Sequence, residues 1–271
     1  MKRFFSHCAP HRFLQDFDEV CGGYLVLAHY CLQYPEYKEF FKQSTKPIIL
    51  DNGAYELGVP IEADKIIELA EEISAETLVC PDVFMNGRGT IEATRNFLNN
   101  DKLKGGSFRL MIVPQGRNPN EYMSCLEELL NLTREISNLI IGVSFLVVAN
   151  AFADVLDVNP KRVELTRPIA VGLVQAAAMR VRKQPTPIHL LGLGNPIELW
   201  AYRGNPYIES ADSSYAIKLA LKGMHVGLLG GLRFDYHMPN YMEVRMSDDQ
   251  IQLAKTNAQT LNVMFGLGEE I

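Results

Sequence analysis

The sequence predicts an α/β protein, a single (β/α)8 barrel of the TIM type. Short apolar runs alternate with amphipathic segments almost throughout the chain, as in the β–α units of a parallel sheet. The length of 271 residues suits a barrel, which typically uses about 250 residues. A doubly wound open sheet is the alternative. Its glycine-rich dinucleotide motif is approached only by residues 192–196, where Pro196 breaks the match.

The strands are predicted from short apolar runs that end in turn or polar residues. In chain order they span residues 23–32, 48–51, 77–80, 108–113, 139–143, 187–193, 207–211 and 225–229. Residues 1–22 mix aromatic and polar side chains without a clear period. We therefore expect an irregular N-terminal segment ahead of the barrel and one domain over residues 1–271.

The helices are predicted where apolar residues recur three and four positions apart, as they do in 62–73. The other predicted helices span 35–43, 90–99, 120–132, 161–182, 196–202, 213–221 and 248–265. Pro168 is expected to break the long helix 161–182. Residues 145–160 are apolar but end in a turn signal, so a loop or short helix is expected there.

Composition points to a globular protein without a membrane span. The hydrophobic fraction is an ordinary 47%, and no apolar run approaches the ~20 residues that a membrane helix needs. The basic N-terminus lacks the long apolar region of a signal peptide. The five cysteines are scattered and form no CxxC pair, which favours reduced thiols in a cytoplasm. Neither a metal site nor a cofactor is predicted.

The charge pattern leaves a nucleic-acid partner open. The formal net charge of -6 does not favour a polyanion, but net charge does not describe a local patch. Six basic residues and one acidic residue lie between Lys161 and Lys183. They are explained equally well by a solvated helix face and by a phosphate-binding face. In the second case we expect Arg180, Arg182 and Lys183 to contact the nucleic-acid backbone.

Polar residues stand where four of the predicted strands end. Asp51, Asp82, Gln115 and Asp212 each follow an apolar run. Taken singly, each has an ordinary structural role in a turn or a helix cap. In a barrel, however, the carboxyl ends of the strands converge on one mouth that holds the active site. We therefore expect three carboxylates and one carboxamide to share one pocket.

This set of side chains suggests glycosidic-bond chemistry on a nucleotide. Two carboxylates can divide nucleophilic and acid/base work at a sugar carbon. A carboxylate together with a carboxamide can hydrogen-bond the edge of a purine. Tyr55, four residues after Asp51, is placed to stack on a base.

Five short segments of the chain, at residues 50–56, 113–116, 141–144, 190–196 and 210–213, occur in the order of similar motifs in one enzyme family. They resemble motifs of the tRNA-guanine transglycosylase superfamily. Residues 50–56, Leu-Asp-Asn-Gly-Ala-Tyr-Glu, resemble its Asp-Ser-Gly-Gly-Phe/Tyr-Gln motif. Residues 113–116 resemble its Val-Gln-Gly motif, and 141–144 its Gly-rich strand end. Residues 190–196 resemble its Leu-x-Gly-x-Gly-x-Pro motif. Residues 210–213 lie where the family places its nucleophilic aspartate.

The resemblance, which spans roughly residues 48–216, implies a role for each matched residue. Asp212 would attack the anomeric carbon and displace guanine, leaving a covalent glycosyl-enzyme. Asp51 would be the general acid/base. The residues implied for base binding or for lining the base pocket are Asp82, Gln115, Gly116, Gly142, Leu191, Gly192 and Tyr55.

Departures from the family pattern direct the prediction towards DNA. The tRNA enzymes carry a zinc site of three cysteines and a histidine after the nucleophile, but this chain has no cysteine after Cys125. Glu56 replaces the usual Gln, and Ala54 replaces the second Gly. The short chain also leaves no room for an added RNA-binding domain. These features look more like the DNA-directed branch, which inserts 7-deazaguanines such as preQ0 into DNA and includes short phage members.

The prediction is therefore guanine exchange in DNA with a free 7-deazaguanine base, in a cytoplasm, that of the host if the protein is phage-encoded. A tRNA-guanine transglycosylase is the first alternative. A non-catalytic barrel that binds a base or a protein partner is the second. An unrelated barrel with chance matches is the third, since this fold hosts many chemistries.

Overall fold

Eight parallel strands form a nearly closed barrel in the computed structural model, which describes residues 3–152, 163–227, 238 and 240–268. The strands are β1 Phe4–His7, β2 Tyr24–Leu27, β3 Ile48–Asp51, β4 Thr77–Val79, β5 Arg109–Ile112, β6 Leu139–Ser144, β7 Ile188–Leu191 and β8 Ile208–Ser213. They alternate with helices, which confirms the predicted α/β fold of the TIM type.

Hydrogen bonds between β1 and β2 bring the two ends of the sheet together. The strand order is β1-β8-β7-β6-β5-β4-β3-β2. The backbone N–H of Gly22 donates to the carbonyl of Phe5 at 3.2 Å, and the N–H of Leu25 donates to Oγ of Ser6 at 2.9 Å. Because every neighbouring pair is parallel, the carboxyl ends of all eight strands meet at one face of the barrel.

The first strand lies inside the segment that was expected to be irregular, and that expectation was wrong. β1 pairs with β8, with Phe4 opposite Ser210 and Ser6 opposite Asp212. Two of its four residues are polar but buried, so it lacks the apolar run that marks the other strands. The eighth strand predicted at 225–229 is also wrong for its described part, because 225–227 are not in a strand. Residues 228–229 lie outside the described residues.

Most helices lie close to their predicted positions, but residues 28–32, which were expected to belong to the first predicted strand, are helical. The α-helices are α1 Leu14–Phe17, α2 Ala28–Gln33, α3 Pro35–Lys42, α4 Ala54–Leu57, α5 Ala63–Glu72, α6 Gly87–Leu98, α7 Asp101–Gly105, α8 Pro119–Leu132, α9 Phe145–Phe152, α10 Val163–Arg182, α11 Leu199–Tyr202, α12 Tyr215–Ala220 and α13 Asp248–Phe265. Short 3-10 helices span His11–Phe13, Asp18–Val20, Pro196–Glu198 and Tyr241–Glu243. In the described part of the chain, no helix is long and apolar enough to cross a membrane.

The long helix α10 continues through Pro168, so the predicted break is absent from its described span. Residues 161 and 162 of the predicted helix, and 153–160 of the predicted loop or short helix, lie outside the described residues. The helix α9 occupies the first half of that loop. Its eight residues are almost all apolar, as is typical of a helix that is mostly buried.

The barrel has an apolar interior and a larger apolar layer between the sheet and the helices. The buried residues of the interior are Phe4, Leu25, Ile49, Val79, Met111, Val113 and Ile140. Near the amino ends of the strands, Arg109 and Glu209 form a bidentate ion pair, with Nη2 of Arg109 2.7 Å from Oε2 of Glu209. The opposite end of the interior opens into a polar cavity.

Candidate functional site

A cavity of about 210 Å³ lies at the carboxyl ends of the strands. Its lining includes all four strand-end residues singled out in the sequence, Asp51, Asp82, Gln115 and Asp212. The other lining residues are Leu25, Leu27, Asn52, Tyr55, Glu56, Val79, Phe84, Val113, Ser144, Phe145, Leu146, Leu191 and Gly192. The volume is below the roughly 300–1,000 Å³ of pockets that enclose drug-sized ligands, so the cavity suits a smaller ligand or a single chemical group.

Asp51 ends β3 and is half-buried in the cavity wall. Its Oδ1 accepts a hydrogen bond from the N–H of Gly53 at 2.7 Å. Burial raises the pKa of this carboxyl well above its ordinary value, and the negative charges of Glu56, Asp82 and Asp212 act in the same direction. Asp51 therefore keeps a proton at pH values where an exposed aspartate has lost it.

Asp82 is held in a fixed orientation by two amide side chains. Nδ2 of Asn52 donates to its Oδ1 at 3.1 Å, and Nε2 of Gln115 donates to its Oδ2 at 2.5 Å. Gln115 is itself fixed, because its Oε1 accepts from the N–H of Met85 at 3.0 Å. Burial raises the pKa of Asp82 to about 6, against the opposing effect of the two amide donors. The carboxylate is thus ionised and oriented at neutral pH.

Asp212, on β8, is buried and its two oxygens have different surroundings. Oδ1 accepts from the N–H of Gly192 at 2.9 Å and lies 3.1 Å from Nε2 of His189. Oδ2 lies 3.7 Å from Sγ of Cys8. Gly192 has φ +68°, and a Cβ there would lie 2.6 Å from the ring of Phe145. Only glycine therefore turns this N–H towards Asp212 without strain.

Gly116 and Gly142 were expected to contact a base, but the structure places both outside the lining of the cavity. A Cβ on Gly116 would lie 2.3 Å from the backbone nitrogen of Tyr122, so this glycine allows α8 to pack closely. A Cβ on Gly142 would lie 2.7 Å from Cδ1 of Leu191. Gly142 thus makes room for a side chain that does line the cavity.

Two aromatic rings form the outer rim of the cavity. Tyr55 is 59% exposed and Phe84 is 45% exposed. Their ring centroids lie 5.7 Å apart with the planes at 70°. Exposed aromatic rings beside a polar cavity offer stacking surfaces to a flat ligand.

The residues predicted to contact a nucleic-acid backbone do not line this cavity, and that contact stays a prediction. Arg180 and Arg182 lie in the last turn of α10, and Lys183 follows the helix. Because α10 leads into the amino end of β7, these residues lie at the face of the barrel opposite the cavity. Arg180 forms an ion pair with Glu127. Arg182 is buried and donates to the carbonyls of Thr133 and Ile136 at 2.6 and 2.7 Å. These contacts connect the end of α10 to α8 and to the residues that follow α8. None of the three basic residues adds a positive charge to the lining of the cavity.

Several site residues were not predicted from the sequence. Asn52 and Glu56 directly follow the predicted Asp51 and Tyr55. Their positions in the same motif could have indicated that they also line the cavity. His189 stands alone in an apolar strand, where a histidine is usually part of the core. His189 could have been found from the alternation of side chains along a strand. It lies two positions before Leu191, which was expected to line the pocket, so the two side chains point to the same side of the sheet. Among the described residues, no group of three or more His, Cys, Asp and Glu is placed to hold a metal ion.

No protein-family model matches this chain, and neither does any curated protein. The fold and the cavity therefore stand on the structure alone: an α/β barrel of the TIM type, with three aspartates and a glutamine converging at the mouth where enzymes of this fold have their active sites.

Proposed function

We propose that this protein is a base-exchange transglycosylase that replaces guanine in DNA with a 7-deazaguanine such as preQ0. The observation that carries the proposal is the pairing of Asp212 and Asp51 across one cavity in different environments. Asp212 accepts hydrogen bonds on one oxygen. The pKa of Asp51 is raised well above its ordinary value by burial and by neighbouring acids. Acid/base-assisted displacement at a sugar carbon requires one carboxyl group that can supply a proton and a second that attacks as a nucleophile.

In the first displacement an oxygen of Asp212 attacks C1′ of the nucleoside. The C1′–N9 bond breaks, and its electron pair leaves with the guanine, which takes a proton from the carboxyl of Asp51. In the second displacement the incoming base loses its N9 proton to the carboxylate of Asp51. Its nitrogen then attacks C1′ and releases the carboxylate of Asp212. Two inversions retain the configuration at C1′.

Base recognition is assigned to Asp82 and Gln115. The carboxylate of Asp82 is oriented by two amides and keeps lone pairs for the N–H groups on the edge of a guanine-type base. Gln115 uses one of its two N–H hydrogens on Asp82, and the other remains for a carbonyl oxygen of the base. Val79, Val113 and Leu191 add apolar surface for the faces of the ring.

The electrostatics of the cavity favour a base that enters from a strand whose phosphates stay outside. Four carboxylic side chains line the cavity, and none of the described lining residues is a lysine or arginine. A phosphate group inside the cavity would therefore meet carboxyl groups and no cationic side chain among these lining residues. A base in a helix must first leave its stack to reach such a site, and the exposed rings of Tyr55 and Phe84 are placed to stack against its neighbours.

The choice of DNA over tRNA rests on the sequence. The motifs in 50–56 and 190–196 resemble those of guanine transglycosylases, and residues 126–271 contain none of the three cysteines that hold zinc in the tRNA enzymes. In this respect the sequence resembles the DNA-directed members.

The test is incorporation of preQ0 by the purified protein into single-stranded DNA, duplex DNA and tRNA. Each nucleic acid is digested to nucleosides and analysed by mass spectrometry. We expect the deazaguanine nucleoside in DNA, its loss in Asp212→Asn, and wild-type yield in Asp101→Asn, which changes an exposed acid on α7. Product in tRNA alone would assign the protein to the tRNA branch. Binding of the free base without product in any nucleic acid would overturn the proposal in favour of a binding-only barrel.

A further inference from the structure

The barrel interior beneath the cavity contains a histidine for which the proposed reaction has no role. His189 on β7 has 0% of its surface exposed. Its Nδ1 lies 2.7 Å from Oγ of Ser210, and its Nε2 lies 3.1 Å from Oδ1 of Asp212. Both ring nitrogens are thus paired with side chains of β8.

The partners of His189 determine which nitrogen carries the hydrogen. An ionised carboxylate is only an acceptor, so Nε2 must carry the hydrogen that bonds to Asp212. Nδ1 of the neutral ring is then an acceptor, and the hydroxyl of Ser210 donates to it. Ser210 is itself fully buried. It therefore fixes the tautomer that allows His189 to donate to Asp212.

A local irregularity of the sheet creates this arrangement. β7 and β8 pair with Ile188 opposite Ile208 but His189 opposite Ser210, so the register shifts by one residue. Without the shift His189 would lie opposite Glu209, which instead pairs with Arg109 at the other end of the barrel. Bulges of this kind redirect side chains and are common beside active sites.

The two oxygens of Asp212 are consequently unequal. Oδ1 accepts from His189 and from the N–H of Gly192. Within the described part of the chain, Oδ2 accepts from the thiol of Cys8 at 3.7 Å, and a thiol is a weak donor. The pKa of that thiol is raised well above its ordinary value, first by burial and then by the charge of Asp212, so it stays neutral beside the carboxylate.

We infer that His189 is a positioning residue that, together with Ser210, holds Oδ1 of Asp212 so that Oδ2 faces the anomeric carbon. This inference rests on the proposed transglycosylase function. This contact should raise the rate of the first displacement by fixing the orientation of the nucleophile. A carboxylate free to rotate would present Oδ2 along the line of attack for only part of the time. The same hydrogen bond favours the carboxylate when it is released in the second displacement.

Two substitutions of His189 separate the hydrogen bond from the volume of the ring. His189→Gln keeps an N–H close to the position of Nε2, whereas His189→Leu fills the space without a donor. We expect His189→Leu to lower kcat for base incorporation about 100-fold, with KM for the incoming base changed by less than about threefold. His189→Gln should restore most of kcat. Thermal unfolding of both variants checks that the barrel is intact.

A second measurement does not depend on activity. Nitrogen-15 NMR of histidine-labelled protein, assigned with His189→Gln, should show His189 as the neutral tautomer with hydrogen on Nε2. Asp212→Ala should shift the Nε2 signal. A ring with hydrogen on Nδ1, or an Nε2 signal indifferent to Asp212→Ala, would overturn the inference whatever the activity.

The kinetic and NMR measurements together distinguish the positioning role of His189 from the transglycosylase function on which it rests. Base exchange by the wild type with equal kcat in His189→Leu would overturn the positioning role and leave the transglycosylase intact. No exchange by the wild type in any nucleic acid would overturn the proposed function, and with it the role of His189 in this reaction. The NMR arm would then report only that His189 binds Asp212.

Discussion

Arg167 and Glu198 form a bidentate ion pair that is completely buried behind the cavity wall. Nε of Arg167 lies 2.8 Å from Oε2 of Glu198, and Nη2 lies 2.7 Å from Oε1. Nη1 donates to the carbonyls of Leu191 at 3.0 Å and Val143 at 3.3 Å. The pair thereby holds the carboxyl ends of β6 and β7, next to Gly192, whose N–H donates to Asp212.

Breaking this ion pair should destabilise the barrel strongly. Glu198→Ala leaves the guanidinium of Arg167 buried without its counter-charge, a change that costs about 3–5 kcal/mol of unfolding free energy. Urea unfolding followed by circular dichroism measures the loss. The matched control is Glu72→Ala, which breaks the exposed Lys38–Glu72 pair and should cost about 1 kcal/mol or less. Equal losses in the two variants would show that the buried pair is not a structural support.

Replacing Asp51 by a neutral amide should stabilise the protein at neutral pH. The folded state holds the pKa of this carboxyl well above its ordinary value, so the unfolded chain releases the proton first. Stability is therefore lost as pH rises from about 4 towards the raised pKa of the folded state. Asp51→Asn removes that loss, and we expect it to gain roughly 1–2 kcal/mol at pH 7.5 while base exchange is abolished.

The measurement is the unfolding free energy of wild type and Asp51→Asn at pH 4.5 and pH 7.5. The difference between the two proteins should be larger at the higher pH. Glu92→Gln, which changes an exposed acid on α6, serves as control and should behave as wild type at both values. A gap that shrinks with rising pH would contradict the raised pKa of Asp51.

The sequence was sufficient for the fold and for the principal residues of the cavity. Parallel β–α units leave an apolar run for each buried strand, and polar residues at the strand ends must meet once the barrel closes. The first strand was missed because Ser6 and His7 are buried through hydrogen bonds rather than through apolar side chains. Ser6 accepts from the N–H of Leu25, and His7 lies 2.9 Å from Oδ1 of Asn262. Such partners are distant in sequence.

The contacts that orient the site depend on register and could not be predicted. The pairing of His189 with Asp212 follows from a one-residue shift between β7 and β8. The basic segment is a different case. A charge count does not indicate which face of the barrel Arg180 and Arg182 occupy, and a helix antiparallel to its strands places its end opposite the mouth. Their contact with a nucleic-acid backbone stays a prediction. Arg182 is also buried against backbone carbonyls, which no local pattern indicates.

Base binding should weaken below pH 6. Burial raises the pKa of Asp82 to about 6, and the ionised form is the one that accepts N–H groups of the base. As pH falls through this value the carboxylate is protonated, so the dissociation constant for guanine should rise towards about tenfold per pH unit. Equilibrium dialysis with labelled guanine between pH 4.5 and 8 measures it. Asp82→Asn should bind weakly and lose this pH dependence, and equal profiles for the two proteins would assign the titration to another group.

Two glycine-to-alanine substitutions should change the free energy of unfolding in opposite directions, one through close packing and the other through helix propensity. Gly116→Ala places a methyl group 2.3 Å from the backbone nitrogen of Tyr122, and since backbone cannot rotate away, we expect a loss of about 1–3 kcal/mol or more. Gly172→Ala in α10 meets nothing within 4 Å and should gain about 1 kcal/mol from helix propensity. Urea unfolding compares both with wild type. A stable Gly116→Ala variant with impaired base binding would return Gly116 to the predicted base-contacting role.

The aromatic rim should contribute to nucleic-acid affinity but not to stability. Tyr55 and Phe84 are exposed, so Tyr55→Ala and Phe84→Ala should leave the unfolding free energy unchanged. If each ring stacks on a base beside the target, each substitution weakens binding of single-stranded DNA by about 1–3 kcal/mol. Fluorescence anisotropy of a labelled oligonucleotide at fixed salt measures the effect, and Tyr55→Phe should bind as wild type because the ring is kept.

Met179→Ala is the matched control for the rim, since this side chain is 46% exposed but lies on α10, away from the cavity. Its affinity for DNA should equal that of wild type. The affinity of Tyr55→Ala for the free base shows whether Tyr55 acts at the rim or inside the cavity. If it acts at the rim, the substitution should reduce binding of the oligonucleotide far more than binding of the free base. Equal losses for both ligands would mean that Tyr55 contacts the exchanged base itself, as the family resemblance implied.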